Sequence, residues 1–197
     1  MTAVVGCVWI GATLVGGRVL LKYENGAGEV GVVANSWPLD SELQLAKDRL
    51  TLVMAVHPQC PCTRASVGEL AQVIARIRDK ARVFVLFYKP ANSGPEWINT
   101  ELHRAVAQIP GVTIVPDIDG KEAQRFGAET SGHVFLFDRA GQLLFNGGIT
   151  ASRGHSGDNL GESAIVSLVQ NGAAAQARTL VFGCSLHDRN QGIKCLK

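Results

Sequence analysis

The chain opens on a stretch without charge and then alternates between strand-like runs and helix-like stripes. Residues 2–17, TAVVGCVWIGATLVGG, carry no ionisable side chain, and after Arg18 the apolar character resumes as VLL before Lys22. About 20 helical residues span about 30 Å, the thickness of a bilayer core. The pattern predicts a membrane anchor or uncleaved signal segment over residues 1–22. Residues 23–36, YENGAGEVGVVANS, are rich in glycine and read as a linker.

From Trp37 the periodicity becomes that of a folded domain. TLVMAV (residues 51–56) is a continuous apolar run suited to a strand buried on both faces. Val67, Leu70, Val73, Ile74 and Ile77 then recur at helical spacing. ARVFVLFYKP (residues 81–90) predicts a second buried strand ended by Pro90, and Ser93, Gly94 and Pro95 introduce a helix with its stripe at Trp97, Ile98, Leu102, Ala105, Val106 and Ile109. GVTIVPD (residues 111–117) predicts a third strand, and KEAQRF a short helix closed by Gly127. HVFLFD and QLLFNGG, joined through Arg139, Ala140 and Gly141, predict a hairpin, and a last helix covers residues 159–170. The order βαβαβαββα implies an α/β class: a three-layer α/β/α sandwich around a central mixed sheet, over residues 37–175. Residues 176–197 form an extension that carries Cys184.

Composition narrows the function classes. With 46% apolar and 18% charged residues the chain is built to fold, and a net charge of +2 gives no footprint for nucleic acid. Five cysteines (Cys7, Cys60, Cys62, Cys184, Cys195) are too few for a disulfide-stapled scaffold and lack the spacing of paired zinc knuckles. Cys7 lies in the apolar leader and Cys195 beside the terminus, so both read as incidental. VVGC (residues 4–7) has too little apolar sequence before it for a lipoprotein cleavage box. Arg18 and Lys22 follow the apolar stretch, and by the positive-inside tendency that would keep the following domain cytoplasmic. GAGEVG in the linker matches a dinucleotide fingerprint only formally, because no helix pattern follows it.

The chemistry concentrates in HPQCPC (residues 57–62), directly after the first predicted strand. If Pro61 takes the first helical position, Cys60 becomes the cap, where helix-terminal amides favour an anion. A thiolate is the nucleophile in disulfide exchange, so Cys60 is the expected attacking residue. His57 is close enough in sequence to add positive character or to fill the loop. A Cys60–Cys62 disulfide demands an unwound first turn, because helical positions i and i+2 point to nearly opposite sides. Cys184, in TLVFGCSL, is a second candidate resolving partner.

Paired cysteines at the first strand-to-helix junction, in this element order, resemble the thioredoxin fold over residues 37–169. HPQCPCTRASVGEL, TSGHVFLFD and GGITASRGHSGDN together resemble bacterial RedB-type thioredoxin-like proteins. Together with the apolar N-terminal segment, the resemblance implies a membrane-anchored thiol–disulfide oxidoreductase on the exported side of a bacterial membrane, with a protein thiol or disulfide as redox partner. Cys60 would attack, and Cys62 or Cys184 would resolve. Two departures stand out: CPC is one residue shorter than the family's CxxC, and Thr130, Ser131 and Gly132 stand where the family places a proline beside the cysteines. The predicted hairpin should bring residues 147–159 near Cys60, making Arg153 and His155 candidate supporting groups. His133 reads as loop packing, and Asp117 and Asp119 as turn and cap residues.

Two rival chemistries use the same sulfurs. Cys60, Cys62 and a histidine such as His57 or His155 would suit copper(I) or zinc. A peroxiredoxin-like thiol peroxidase would oxidise Cys60 and resolve it through Cys184, with Thr63 just past the motif. Otherwise no cofactor is expected.

Overall fold

The computed structural model describes residues 2–187, so Cys195 lies outside the described residues. Helix α1 (Thr2–Glu24) is apolar on all sides and has no polar stripe, as a helix facing lipid requires. Its span Val4–Glu24 has a mean hydropathy of 1.9 and is not buried in the domain; its last turn, at Tyr23 and Glu24, meets Arg153. It is long and apolar enough to cross a membrane, a property that anchors and signal sequences share.

Five strands follow: β1 (Leu50–Val56), β2 (Ala81–Lys89), β3 (Val112–Ile118), β4 (His133–Phe137) and β5 (Leu143–Gly147). They form one mixed sheet in the order β3-β2-β1-β4-β5. β1 runs parallel to β2, with Met54 opposite Val85, and antiparallel to β4, with Met54 opposite Val134. β1 therefore lies mid-sheet with both faces covered, the reason for its unbroken apolar sequence.

Alternate β1 side chains enter two cores. Leu52, Met54 and Val56 meet α2 (Thr63–Ile77), α3 (Glu101–Ala107) and α5 (Leu160–Asn171), through Leu70, Val106 and Ile165 among others. Val53 and Ala55 face α4 (Lys121–Phe126), where Phe126, Phe135 and Phe137 cluster with Trp37 and Leu186. The predicted three-layer order is present.

Two local expectations are corrected. The single helix predicted after Ser93 is divided: Pro95–Trp97 form a 3-10 turn, and α3 begins only after Thr100, whose side chain accepts the His103 N–H at 3.3 Å. Threonine competes as a cap with continuation of the helix, and capping wins. Helix α2 likewise starts at Thr63 with Cys62 at its cap position, two residues later than predicted.

The connector after α1 lies along the domain. Gly28 N–H donates to Val181 O at 2.8 Å, Gly31 N–H to Gly127 O at 3.0 Å, and Thr130 Oγ1 to Glu29 O at 2.7 Å. A Cβ on Gly127, which has φ +78°, would collide with the Val32 carbonyl. Residues 177–186 return across the same region. Asn146 N–H donates to Ala177 O, Thr179 N–H to Asn146 O and Gly148 N–H to Leu180 O.

Candidate active site

The site is built where β1 ends. His57 N–H donates to the Ser131 hydroxyl at 2.8 Å, and Cys60 N–H closes a turn onto His57 O at 3.1 Å. A second tight turn, Thr63 N–H to Cys60 O at 3.3 Å, carries the chain into α2. Cys60 is therefore not the helix cap, and the CPC stretch is not helical enough to turn its sulfurs apart. The unwound turn that a close pair demands is present, with Pro61 exposed at its tip.

The C-terminal segment brings the third sulfur. Ser131 N–H donates to Cys184 O and Leu186 N–H to Glu129 O, both at 2.8 Å, so residues 184–186 pair antiparallel with the loop before β4. Gly183 is required there, because a Cβ would land on the Ser131 carbonyl oxygen. The sulfurs of Cys60, Cys62 and Cys184 all lie within 4.8 Å of one another, and all three residues are buried.

These neighbours set the ionisation. The Cys60 thiol is held far below its ordinary range, first by a hydrogen bond from Cys184 and then from Cys62, against the opposing effect of burial. The Thr63 hydroxyl and the main-chain N–H of Cys184 add to the effect. Cys62 moves upward: contact with Cys184 favours its thiolate, but the bond to Cys60, burial and the Cys60 charge together outweigh it, with Arg153 pulling down more weakly. One thiolate among neutral donors is what such proximity dictates, since buried like charges repel.

A polar chain supports that thiolate. Thr63 Oγ1 and Ser131 Oγ are 2.7 Å apart, both residues fully buried. Because Ser131 accepts from His57 N–H and Thr63 donates to Cys60, the Ser131 hydroxyl must donate to Thr63. Gly132 completes the loop: its N–H donates to Ala55 O at 2.8 Å, and its φ of +94° is a conformation that favours glycine.

The remaining predicted residues fall around this cluster. His57 is buried, its Nδ1 accepts Gln59 N–H at 3.2 Å, and its ring stacks on Tyr88 at 5.4 Å, edge-on to Trp97. It does not belong to the sulfur group; among the described residues only the three cysteines form a cluster able to hold a metal. Arg153 acts as a clasp. Its Nε donates to Gly26 O at 3.1 Å, its Nη1 to Gly183 O, and its backbone N–H to Glu24 O, while the guanidinium covers the Tyr23 ring. His155 is exposed and held through its backbone N–H to Ser152 O. The 147–159 loop is anchored from α2, where buried Glu69 accepts Gly157 N–H at 2.9 Å.

No family model and no curated protein matches the chain. Solved structures share its fold. An uncharacterized conserved protein from Geobacillus kaustophilus superposes with a TM-score of 0.60 at 16% identity, over 85% of this chain and 96% of that one. A hypothetical protein, SMc02350 of Sinorhizobium meliloti 1021, does so with a TM-score of 0.56 at 19% identity, over 86% of this chain and all of that one (100%). A looser likeness, with a TM-score of 0.45 at 13% identity over 62% of this chain and 81% of that one, is to a secreted Mycobacterium tuberculosis disulfide oxidoreductase homologous to E. coli DsbE. By its own sheet order, with β1 parallel to β2 and antiparallel to β4, the fold is thioredoxin-like.

Within the thioredoxin-like frame, Cys60 and Cys62 occupy the strand-to-helix junction where the sequence predicted them. Sequence reasoning missed the Thr63–Ser131 pair as a unit. The available signal was Thr63 itself, a hydroxyl three residues past Cys60 and thus able to face it across the turn. The main-chain N–H of Cys184 had no sequence signal at all.

Proposed function

We propose that the protein is a membrane-tethered thiol–disulfide oxidoreductase, with its thioredoxin-like domain (residues 37–175) on the exported side of a bacterial membrane. The observation that carries this reading is a Cys60 sulfur biased to thiolate with two further thiols within 4.8 Å. In the reducing direction, Cys60 thiolate attacks one sulfur of a substrate disulfide. A Cys60–substrate S–S bond forms, and the departing substrate sulfur takes a proton. Cys62, or Cys184, then loses its proton and attacks the Cys60 sulfur, releasing the second substrate thiol. Two electrons pass to the substrate and one intramolecular disulfide remains; the oxidising direction runs the same steps backwards.

Thr63, Ser131 and the backbone of Thr130 and Gly132 position the nucleophile in this scheme. Pro61 disfavours helical backbone at the preceding Cys60, and Arg153 fixes the segment that bears Cys184. That clasp also reaches Glu24 at the end of α1, which supports a site at the tethered end of the domain. His57 supports the turn, and His155 is an exposed loop residue with no contact to the sulfurs.

The test is reduction of a fluorescent glutathione disulfide by the full chain in detergent, with disulfide mapping afterwards. Cys60→Ser should abolish turnover, and Cys62→Ser should accumulate a Cys60 mixed disulfide or divert it to Cys184. Full turnover by Cys60→Ser would sink the reading.

A further inference from the structure

The three cysteines have a geometry that disulfide exchange does not require. Exchange needs two sulfurs that can approach to bonding distance in turn, whereas here three converge on one buried point, within 4.8 Å of one another. Their exposures are 3%, 8% and 8% for Cys60, Cys62 and Cys184. The third sulfur is held by main-chain pairing on one side and by the Arg153 clasp at Gly183 on the other. A preorganised convergence of soft donors is a metal-binding arrangement.

From this geometry we propose that Cys60, Cys62 and Cys184 together bind one copper(I) ion as a three-sulfur site. A metal about 2.3 Å from each of three sulfurs in a plane sets the sulfurs about 4.0 Å apart, so the cluster needs only a small contraction. Soft thiolates select copper(I), which is satisfied by three such ligands. Structural zinc is almost always four-coordinate, and among the described residues no histidine, aspartate or glutamate joins the three sulfurs as a fourth ligand. His57, the ligand suggested by sequence, is engaged with Gln59 and Tyr88 instead.

The charge is manageable in that position. Each thiol that binds releases its proton to solvent. The net negative charge of the filled site is offset in part by Arg153, whose charge acts on Cys62, and by the Cys184 N–H and Thr63 hydroxyl directed at Cys60. An opening of about 310 Å³ beside Cys60, lined by Pro58, Gln59, Arg64 and Glu101, gives an ion a route from solvent. This inference goes beyond the redox reading and requires only that the sulfurs be reduced.

The test uses the reduced full chain in detergent without oxygen, titrated with copper(I) against a chromophoric copper(I) chelator. The expected result is one copper(I) per chain, with X-ray absorption showing sulfur donors only. Losing an outer-shell partner costs a metal site about 10–100-fold in affinity, so losing a ligand by Cys184→Ser should cost at least about 100-fold. Cys62→Ser should cause a comparable loss, which keeps the proposal open to refutation should the Cys184 variant fail to fold. A variant lacking Cys7 and Cys195 should bind like the parent. Nitrogen donors, zinc bound as tightly as copper(I), or undiminished affinity in Cys62→Ser would overturn the proposal. Disulfide reductase activity is measured separately on the metal-free chain, so failure of one reading leaves the other intact.

Discussion

Thr63→Val removes one hydroxyl from the centre of the site while keeping the side chain's shape. In the parent that hydroxyl donates to Cys60 and accepts from Ser131, whose oxygen is 2.7 Å away. A hydrogen bond to a charged group contributes roughly 1.5–3 kcal/mol, which corresponds to roughly 1–2 pKa units at Cys60. The Cys60 value should therefore rise by that amount and still remain below the ordinary thiol range, because Cys184 and Cys62 continue to donate. The assay is the pH dependence of iodoacetamide alkylation at Cys60, read by peptide mass spectrometry, with Thr63→Ser as the control that retains the hydroxyl. The variant also leaves the buried Ser131 hydroxyl without its acceptor, which should cost about 1–3 kcal/mol in denaturant unfolding. The sign of the linkage gives a third readout. A thiol whose folded value is depressed contributes stability that is fully present above the unfolded value of about 8.5 and is lost as pH falls through the folded value. Thr63→Val must shrink that contribution. If alkylation midpoints coincide in the parent and the valine variant, or if serine shifts as far as valine, the hydroxyl chain does not stabilise the thiolate.

Three further perturbations probe the surroundings. Gly183→Ala places a methyl group on the Ser131 carbonyl oxygen, so the segment must move; overpacking of this kind costs about 1–3 kcal/mol, and Cys184 should become open to alkylation in the folded protein. His133 is fully buried against Phe135, and burial lowers its imidazole to about 4, with Asn146 opposing. Its neutral form thus stabilises the fold above the unfolded value of about 6.5; between there and pH 4 the parent should lose up to roughly 3 kcal/mol relative to His133→Phe in urea titrations, and parallel curves would refute this. Deleting residues 2–22 should move the protein from the membrane fraction to the soluble fraction with its melting temperature nearly unchanged, since that stretch is not buried in the domain and the Arg153 contacts fall on Tyr23 and Glu24, which are kept; retention in the membrane fraction would contradict the anchor.

The parts of the fold legible in sequence are those set by burial pattern alone. TLVMAV could be read as a central strand because both its faces are covered, and the helices on the sheet kept their stripes. Local competition was harder to read: whether Pro61 or Thr63 starts α2, and whether the chain after Pro95 runs on or restarts at Thr100, depends on caps and turns of similar energy. In the site, Cys60 and Cys62 were legible from chemistry and position. Cys184 could only be a candidate, because its placement rests on backbone pairing between residues 184–186 and 129–131, more than fifty residues apart, and on a glycine whose necessity is steric. Pairing of that kind leaves no periodic trace.

The same pairing limits how the site can act. Val181 and Leu186 are 1% and 0% exposed, and Phe182 is 8% exposed, so the segment bearing Cys184 is held by three buried apolar side chains. Burial of such a side chain contributes roughly 1.5–3 kcal/mol, and detaching all three would cost more than a routine opening motion can supply. Cys184 is therefore a fixed wall of the site, not a sulfur on a swinging arm. Any reactant must reach Cys60 from the side that the segment leaves open, between Pro58, Gln59 and Pro61 and the Arg64–Glu101 ion pair. That pair is exposed and contributes little to stability, so it can part at small cost. The opening suits an ion, a small disulfide or one extended peptide loop, and excludes a folded surface pressed flat on the sulfurs. Arg64→Ala should accordingly speed alkylation of Cys60 by bulky maleimides more than by iodoacetamide, and an equal effect on both reagents would show that access lies elsewhere.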